Sequence, residues 1–227
     1  MADGVLVLSK SGQGKSTSIR NFNPDEVMII QCKNKRLPFP HNDWKYWDKT
    51  TKTGSIFIVN NFAEVRAVLL KMQEIGKKVV VIDDLVFLFA NKVMDDINVK
   101  GFEKWTEIAI EFDQTIKTIE NLKENMRVYI LTHIDTNEFG EVSMKTAGKL
   151  IENLLNPVAG FTIVLGVQKT DTGSSFITNG NAATPYKSPM GMWKDKLIPN
   201  DLKEVDDRIC DFWNIENKTT TLKTTTK

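Results

Sequence analysis

The chain has 227 residues, 41% of them hydrophobic, and a formal net charge of +1. That is enough to bury one sizeable core, but it leaves no overall field to draw the molecule onto nucleic acid, so any polyanion must be met by local clusters. No run approaches the roughly 18 apolar residues of a membrane span, and the N-terminus lacks a secretory layout, so a cytosolic setting with no membrane partner is expected.

In chain order, a short buried-strand pattern at residues 5–8 leads into "LSKSGQGKSTS" at 8–18. This is the phosphate-loop pattern with Ser9 where the first glycine is usual and Gly14-Lys15-Ser16 intact. Such a turn between a strand and a helix aims successive backbone N–H groups at phosphates. Ser11, Gly12, Gln13, Gly14, Lys15, Ser16 and Thr17 are the candidate cofactor-binding residues. Lys15 is placed to reach the β- and γ-phosphates, and the Ser16 hydroxyl to hold Mg²⁺. Ser9 tests whether the first loop position tolerates a side chain, and "KSTSIRNF" is expected to begin a helix.

A second strand is expected at 26–32 and a third at 55–60, with a proline- and aromatic-containing loop at 33–53 between them. Residues 62–75 repeat apolar positions at helical spacing, with Asn61 as the cap. The strongest strand, at 78–84, ends in "VVVIDDL". A carboxylate there can contact Mg²⁺, which is the role expected of Asp83. Asp84 either orients or deprotonates an attacking water or simply begins a helix. One long amphipathic helix is expected through Phe102, Trp105, Ile108, Phe112, Ile116 and Ile119.

The strand at 127–132 opens into "ILTHID", so Thr132 or His133 stands at the sheet edge where open α/β sheets place ligands. There it senses a γ-phosphate or serves only structure. A polar loop is expected at 135–145, a strand at 161–168, a hairpin turn at Thr172-Gly173 and a closing helix at 202–213. The end, "NKTTTLKTTTK", is expected to be disordered. Cys32 and Cys210 lack metal-ligand spacing and are expected as free thiols. Continuous apolar strands alternating with helices indicate an α/β fold with a mainly parallel sheet covered on both faces.

Together, "GQGKSTSIRNFNP", "IIQCKNKRLPF", "VVVIDDL", "YILTHID" and "YKSPMGMW...IPNDLKEV" resemble phage ATPases of the Sak recombinase group, which carry a RecA-like core. The resemblance spans roughly residues 4–214. It implies a RecA-like P-loop NTPase domain over 1–214, with a C-terminal β-hairpin, and a tail at 215–227. It also implies ATP and Mg²⁺ as cofactors, annealing or strand exchange on single-stranded DNA, a ring or filament of identical subunits, a single-strand-binding protein as a further partner, and the cytoplasm of an infected bacterial host. Gly14, Lys15, Ser16 and Thr17 then bind nucleotide, Asp83 serves the metal, and the segment after His133 contacts DNA through Met144, Lys145 and Lys149. Lys15, Asp84 and His133 are the catalytic candidates, and Lys169 and Lys187 the cations supplied in trans; either of these two is otherwise an ordinary exposed lysine.

The chain departs from RecA in offering Gln31, Cys32 and Lys33 where RecA has the glutamate that activates water, which implies slow hydrolysis or a nucleotide-gated binder. "KNKR" and "HNDWKYWDK" interleave cations with Trp44, Tyr46 and Trp47, as single-strand binding requires, or else fold back as a satellite cluster. A small-molecule phosphotransferase or signalling NTPase is the alternative; the scattered Arg20, Arg36, Arg66, Arg127 and Arg208 do not form the lid it would need. A non-enzymatic adaptor with structural nucleotide is the third reading.

Overall fold

The computed structural model describes residues 3–148, 151–152, 155–171, 173–216 and 218–220. Its strands are β1 (Asp3–Ser9), β2 (Val27–Gln31), β3 (Ile56–Ile58), β4 (Val79–Asp83), β5 (Arg127–Thr136), β6 (Val142–Met144), β7 (Ile163–Thr170), β8 (Gly173–Ile177) and β9 (Leu197–Pro199). They form one sheet in the order β3-β2-β4-β5-β1-β7-β8-β9, with β6 paired to the outer part of β5. Pairing is parallel from β3 to β7 and antiparallel at β8, β9 and β6. The fold is therefore α/β with a mostly parallel sheet, as the uninterrupted apolar strands require.

The helices are α1 (Phe62–Glu74), α2 (Val86–Asp95), α3 (Glu103–Glu120) and α4 (Leu202–Trp213). Alternate residues of each central strand face opposite layers. Leu6, Ile30, Ile82 and Ile130 pack under α1, α2 and α3, while Val7, Ile29, Val81 and Leu131 pack against Ile19, Phe22 and α4. Asn61 caps α1 as expected: its Oδ1 accepts from the Glu64 N–H at 2.9 Å. Cys32 and Cys210 are free and buried, and no described helix is long and apolar enough to cross a membrane.

The local departures have physical causes. After the phosphate loop comes only a single 3-10 turn, Ser16–Ile19. Phe22 dives into the core, and Pro24 biases Asn23 away from the helical region. Two helices, not one, lie between β4 and β5. The start of α2, Val86 to Phe89, is a continuous apolar run that carries no helical period. The expected loop at 135–145 is a hairpin, because β5 continues to Thr136 and returns as β6. Its turn is ordered by Asn137 Oδ1, which accepts from the Phe139 and Glu141 N–H groups at 3.0 and 2.9 Å.

Residues 33–53 are irregular, and their tryptophans fold back, though onto the two main core layers and not onto a separate satellite: Trp44 is buried edge-on to Phe39 at 6.1 Å in one layer, and Trp47 packs on the other, while Tyr46 is exposed. The β7–β8 hairpin is present, although Thr172 of its turn lies outside the described residues. Part of the segment expected as a disordered tail is held in place. Thr219 is buried and donates to Asp206 at 3.2 Å, and Thr220 Oγ1 donates to Glu26 at 2.7 Å. Residues 217 and 221–227 lie outside the described residues.

Candidate nucleotide site

The parallel register brings Ser9, Gln31, Asp83 and His133 to the carboxyl edge of neighbouring strands, where α/β sheets bind ligands. Ser9 ends β1 outside the left-handed region, so the position needs no glycine. Its hydroxyl donates to the Lys10 carbonyl at 2.9 Å. Gly12 and Gly14 have φ of +76° and +106°, and a Cβ on Gly14 would stand 2.8 Å from both Asn200 Nδ2 and Ser174 Oγ. Asn200 Nδ2 also donates to the Gly14 carbonyl at 2.9 Å, bracing the loop from the start of α4. Lys15 is only 6% exposed and curls into its own loop, donating to the Ser9 and Lys10 carbonyls at 3.1 and 3.2 Å. Burial pushes its pKa down, against the pull of Asp84 and Asp83.

Ser16 Oγ donates to Asp83 Oδ1 at 2.7 Å. Asp83 is fully buried; its Oδ2 accepts no hydrogen bond and faces Lys35 Nζ at 3.5 Å. A hydroxyl and a carboxylate with a spare oxygen fit Mg²⁺, a hard cation commonly held by one carboxylate plus substrate phosphates. Among the described residues no group of three or more His, Cys, Asp or Glu could hold a metal by itself, so phosphate oxygens would complete the sphere. The Asp83–Asp84 peptide is cis. Asp84 Oδ2 lies 2.6 Å from His133 Nε2, while Asp84 Oδ1 and Thr132 Oγ1 are buried without hydrogen-bond partners. Burial raises the Asp84 pKa, with Lys15 and His133 pulling it back.

These groups open onto a cleft of about 280 Å³ lined by Ser11, Gly12, Gly14, Lys15, Ser16, Thr17, Lys35, Pro38, Asp84 and His133. A larger groove of about 740 Å³, beside Lys123 and Trp213, contains none of them and is not the chemical site. The fold thus gathers most of the residues marked in the sequence. Gln13 is turned instead toward β7, where its Oε1 accepts from the Lys169 N–H at 3.0 Å. Lys169 is exposed, and Lys187 pairs with Val164 through two backbone hydrogen bonds; neither lines the cleft.

Met144 requires correction as a DNA-facing residue. It is 1% exposed, because β6 folds back on β5 and turns its side chain into the core. Lys145 next to it is exposed, and Lys149 lies outside the described residues. Sequence reasoning missed Lys35 as a cleft residue by grouping it with the "KNKR" cations, although it stands four residues after the end of β2. Asn200 and Ser174 carried no local signal, since only the tertiary fold brings them to Gly14.

The mostly parallel sheet carries a phosphate-loop sequence at the end of β1 and an aspartate at the end of β4, two strands away in the sheet, which together make a candidate phosphate site. Among solved structures, a KaiC-like protein from the hyperthermophilic archaeon Pyrococcus horikoshii OT3 is similar to this chain, with 14% identity and a TM-score of 0.43 over 82% of this chain and 83% of that one. No protein-family model and no curated protein matches the chain.

Proposed function

We propose that the chain is an ATP-binding recombination protein of a phage, with a RecA-type core, in which nucleotide occupancy gates single-stranded DNA binding and slow hydrolysis resets it. The observation that carries this reading is the contact between Asp84 and His133 at 2.6 Å. Asp84 lines the phosphate cleft, and His133 stands where β5 leaves the sheet to form the hairpin with β6, its carbonyl accepting from the Lys145 N–H at 2.8 Å. A change at the terminal phosphate therefore has a two-residue route to an exposed hairpin. That hairpin presents Phe139, 83% exposed, and Lys145, a flat group and a cation of the kind single strands bind.

Within the cleft, backbone N–H groups of residues 12–17 and Lys15 bind phosphates, and Ser16 and Asp83 hold Mg²⁺. Bound there, Mg²⁺ would supply the positive charge that offsets charge developing on the phosphate oxygens. Asp84 Oδ1 is the free acceptor that orients the attacking water, and His133 steadies the other carboxylate oxygen. With Gln31 in place of a catalytic glutamate, turnover is slow. The same reading carries assembly of several subunits on DNA, with Lys169 or Lys187 reaching a neighbour's nucleotide, contact with a single-strand-binding protein, and action in the cytoplasm of the infected host.

Fluorescence anisotropy of a labelled single-stranded oligonucleotide tests it, with Mg²⁺ and either no nucleotide, ADP or a non-hydrolysable ATP analogue. Binding should require the triphosphate and disappear in Lys15→Ala. Absence of DNA binding in every state, with nucleotide still retained, would overturn the DNA reading and leave a phosphotransferase or an adaptor.

A further inference from the structure

Lys35 stands in the cleft but outside the phosphate loop. Its backbone is fixed: Gln31 Nε2 donates to the Lys35 carbonyl at 3.0 Å, and Leu37 just beyond is buried in the core. Its side chain is 37% exposed and carries the ammonium to 3.5 Å from Asp83 Oδ2, the oxygen that accepts no hydrogen bond. Between two surface groups such a pair would contribute little. Here the anion is fully buried, and it is the carboxylate whose other oxygen takes the Ser16 hydroxyl. A buried carboxylate requires a counter-charge, and Lys35 supplies one at the position a divalent cation would claim.

We propose that Lys35 is a cis-acting cation of the site: it neutralises Asp83 in the nucleotide-free protein and moves to the terminal phosphate when a divalent cation takes its place. An ammonium and a divalent ion at one carboxylate oxygen repel each other, so metal arrival favours departure of Lys35. Its flexible stem permits the move, and the destination lies in the same cleft, which Gly12, Gly14, Lys15, Ser16 and Lys35 line together. A diphosphate lacks the γ-phosphate that Lys35 would meet, so this residue makes the site tell triphosphate from diphosphate. Lys35 then reads the γ-phosphate from within its own chain, beside the cation that Lys169 or Lys187 brings from a neighbour.

The inference rests on the nucleotide reading above, and one experiment separates the two. Wild type, Lys35→Met and Lys35→Arg are titrated calorimetrically with ADP and with a non-hydrolysable ATP analogue in Mg²⁺, and the Mn²⁺ affinity of the ADP-bound proteins is read by electron paramagnetic resonance. Lys35→Met is expected to weaken triphosphate binding roughly tenfold to a hundredfold, the worth of a charge-assisted contact. It should leave ADP within about threefold and bind Mn²⁺ more tightly than wild type, while Lys35→Arg keeps the triphosphate preference. If Lys35→Met does not fold, Lys35→Gln carries the same comparison. An unchanged triphosphate-to-diphosphate ratio or unchanged Mn²⁺ affinity overturns the role of Lys35 and leaves the nucleotide site standing. A wild-type protein that binds neither nucleotide overturns the site and the inference together.

Discussion

Burial works against the charged forms of two side chains of the cleft. Burial raises the pKa of Asp84 and lowers that of Lys15. For Asp84 the raised folded value means that its contribution to stability is present below the ordinary carboxylate range and is lost as pH rises through the raised value. For Lys15 the lowered value means that stability is present above the ordinary lysine pKa and is lost as pH falls through the lowered one. Both are therefore unfavourable at neutral pH until a ligand compensates. Asp84→Asn should raise the melting temperature of the nucleotide-free protein by a few degrees at pH 7, with the gain vanishing below about pH 4, while the hydrolysis proposed for this site should fall at least tenfold. A variant less stable than wild type at pH 7, measured by calorimetry, would show that the contact with His133 outweighs desolvation. Ser9 gives the opposite expectation. Because its backbone is not left-handed, Ser9→Gly should change nucleotide affinity by less than about threefold, read by titration, whereas Lys15→Ala should abolish it.

At the scale of elements, the phosphate loop is shaped as much by what packs on it as by its own glycines. Gly14→Ala would combine a φ of +106° with a Cβ 2.8 Å from Asn200 and Ser174. It should lose about 1–3 kcal/mol of stability and nucleotide binding as well, checked by denaturant titration and calorimetry; Gly12→Ala, with open space around its Cβ, should show backbone strain alone. This brace could not be read from the sequence, because Asn200 and Ser174 reach Gly14 only after the chain has crossed the sheet. Legible elements were those with a local period or cap: the apolar runs of β1, β2, β4 and β5, the Asn61 cap of α1, the stripe of α3 and the bounds of α4. What escaped was settled by tertiary contact. The helix after Ser16 stops after one turn because Phe22 is claimed by the core. Residues 142–144 form a strand because β5 overruns the sheet and offers an edge. Asp83 was legible from the end of its strand, but its ion partner Lys35 was not, since their proximity depends on how the irregular segment folds over β2.

The whole molecule is tied together far from the cleft. Arg127 and Tyr129 on β5 both donate to the buried Asp206 of α4 at 2.8 Å, and Arg127 does so with two nitrogens. All three side chains are fully buried, and burial together with Asp206 pushes the Tyr129 phenol's pKa well up. Removing one partner strands the other's charge, so Asp206→Ala should destabilise the protein by about 3–5 kcal/mol. His133 is six residues further along β5 than Arg127, or roughly 20 Å at strand rise, so the two centres should act independently. Mg²⁺ with a triphosphate at one hundred times its Kd should stabilise wild type by about 2.7 kcal/mol. The same increment should appear on top of the Asp206→Ala deficit, because sites this far apart without shared partners add. Denaturant titration of both proteins with and without Mg²⁺ and nucleotide measures this directly. An increment that shrinks in Asp206→Ala would mean that α4, which begins next to the Asn200 brace on Gly14, transmits its anchoring into the phosphate loop.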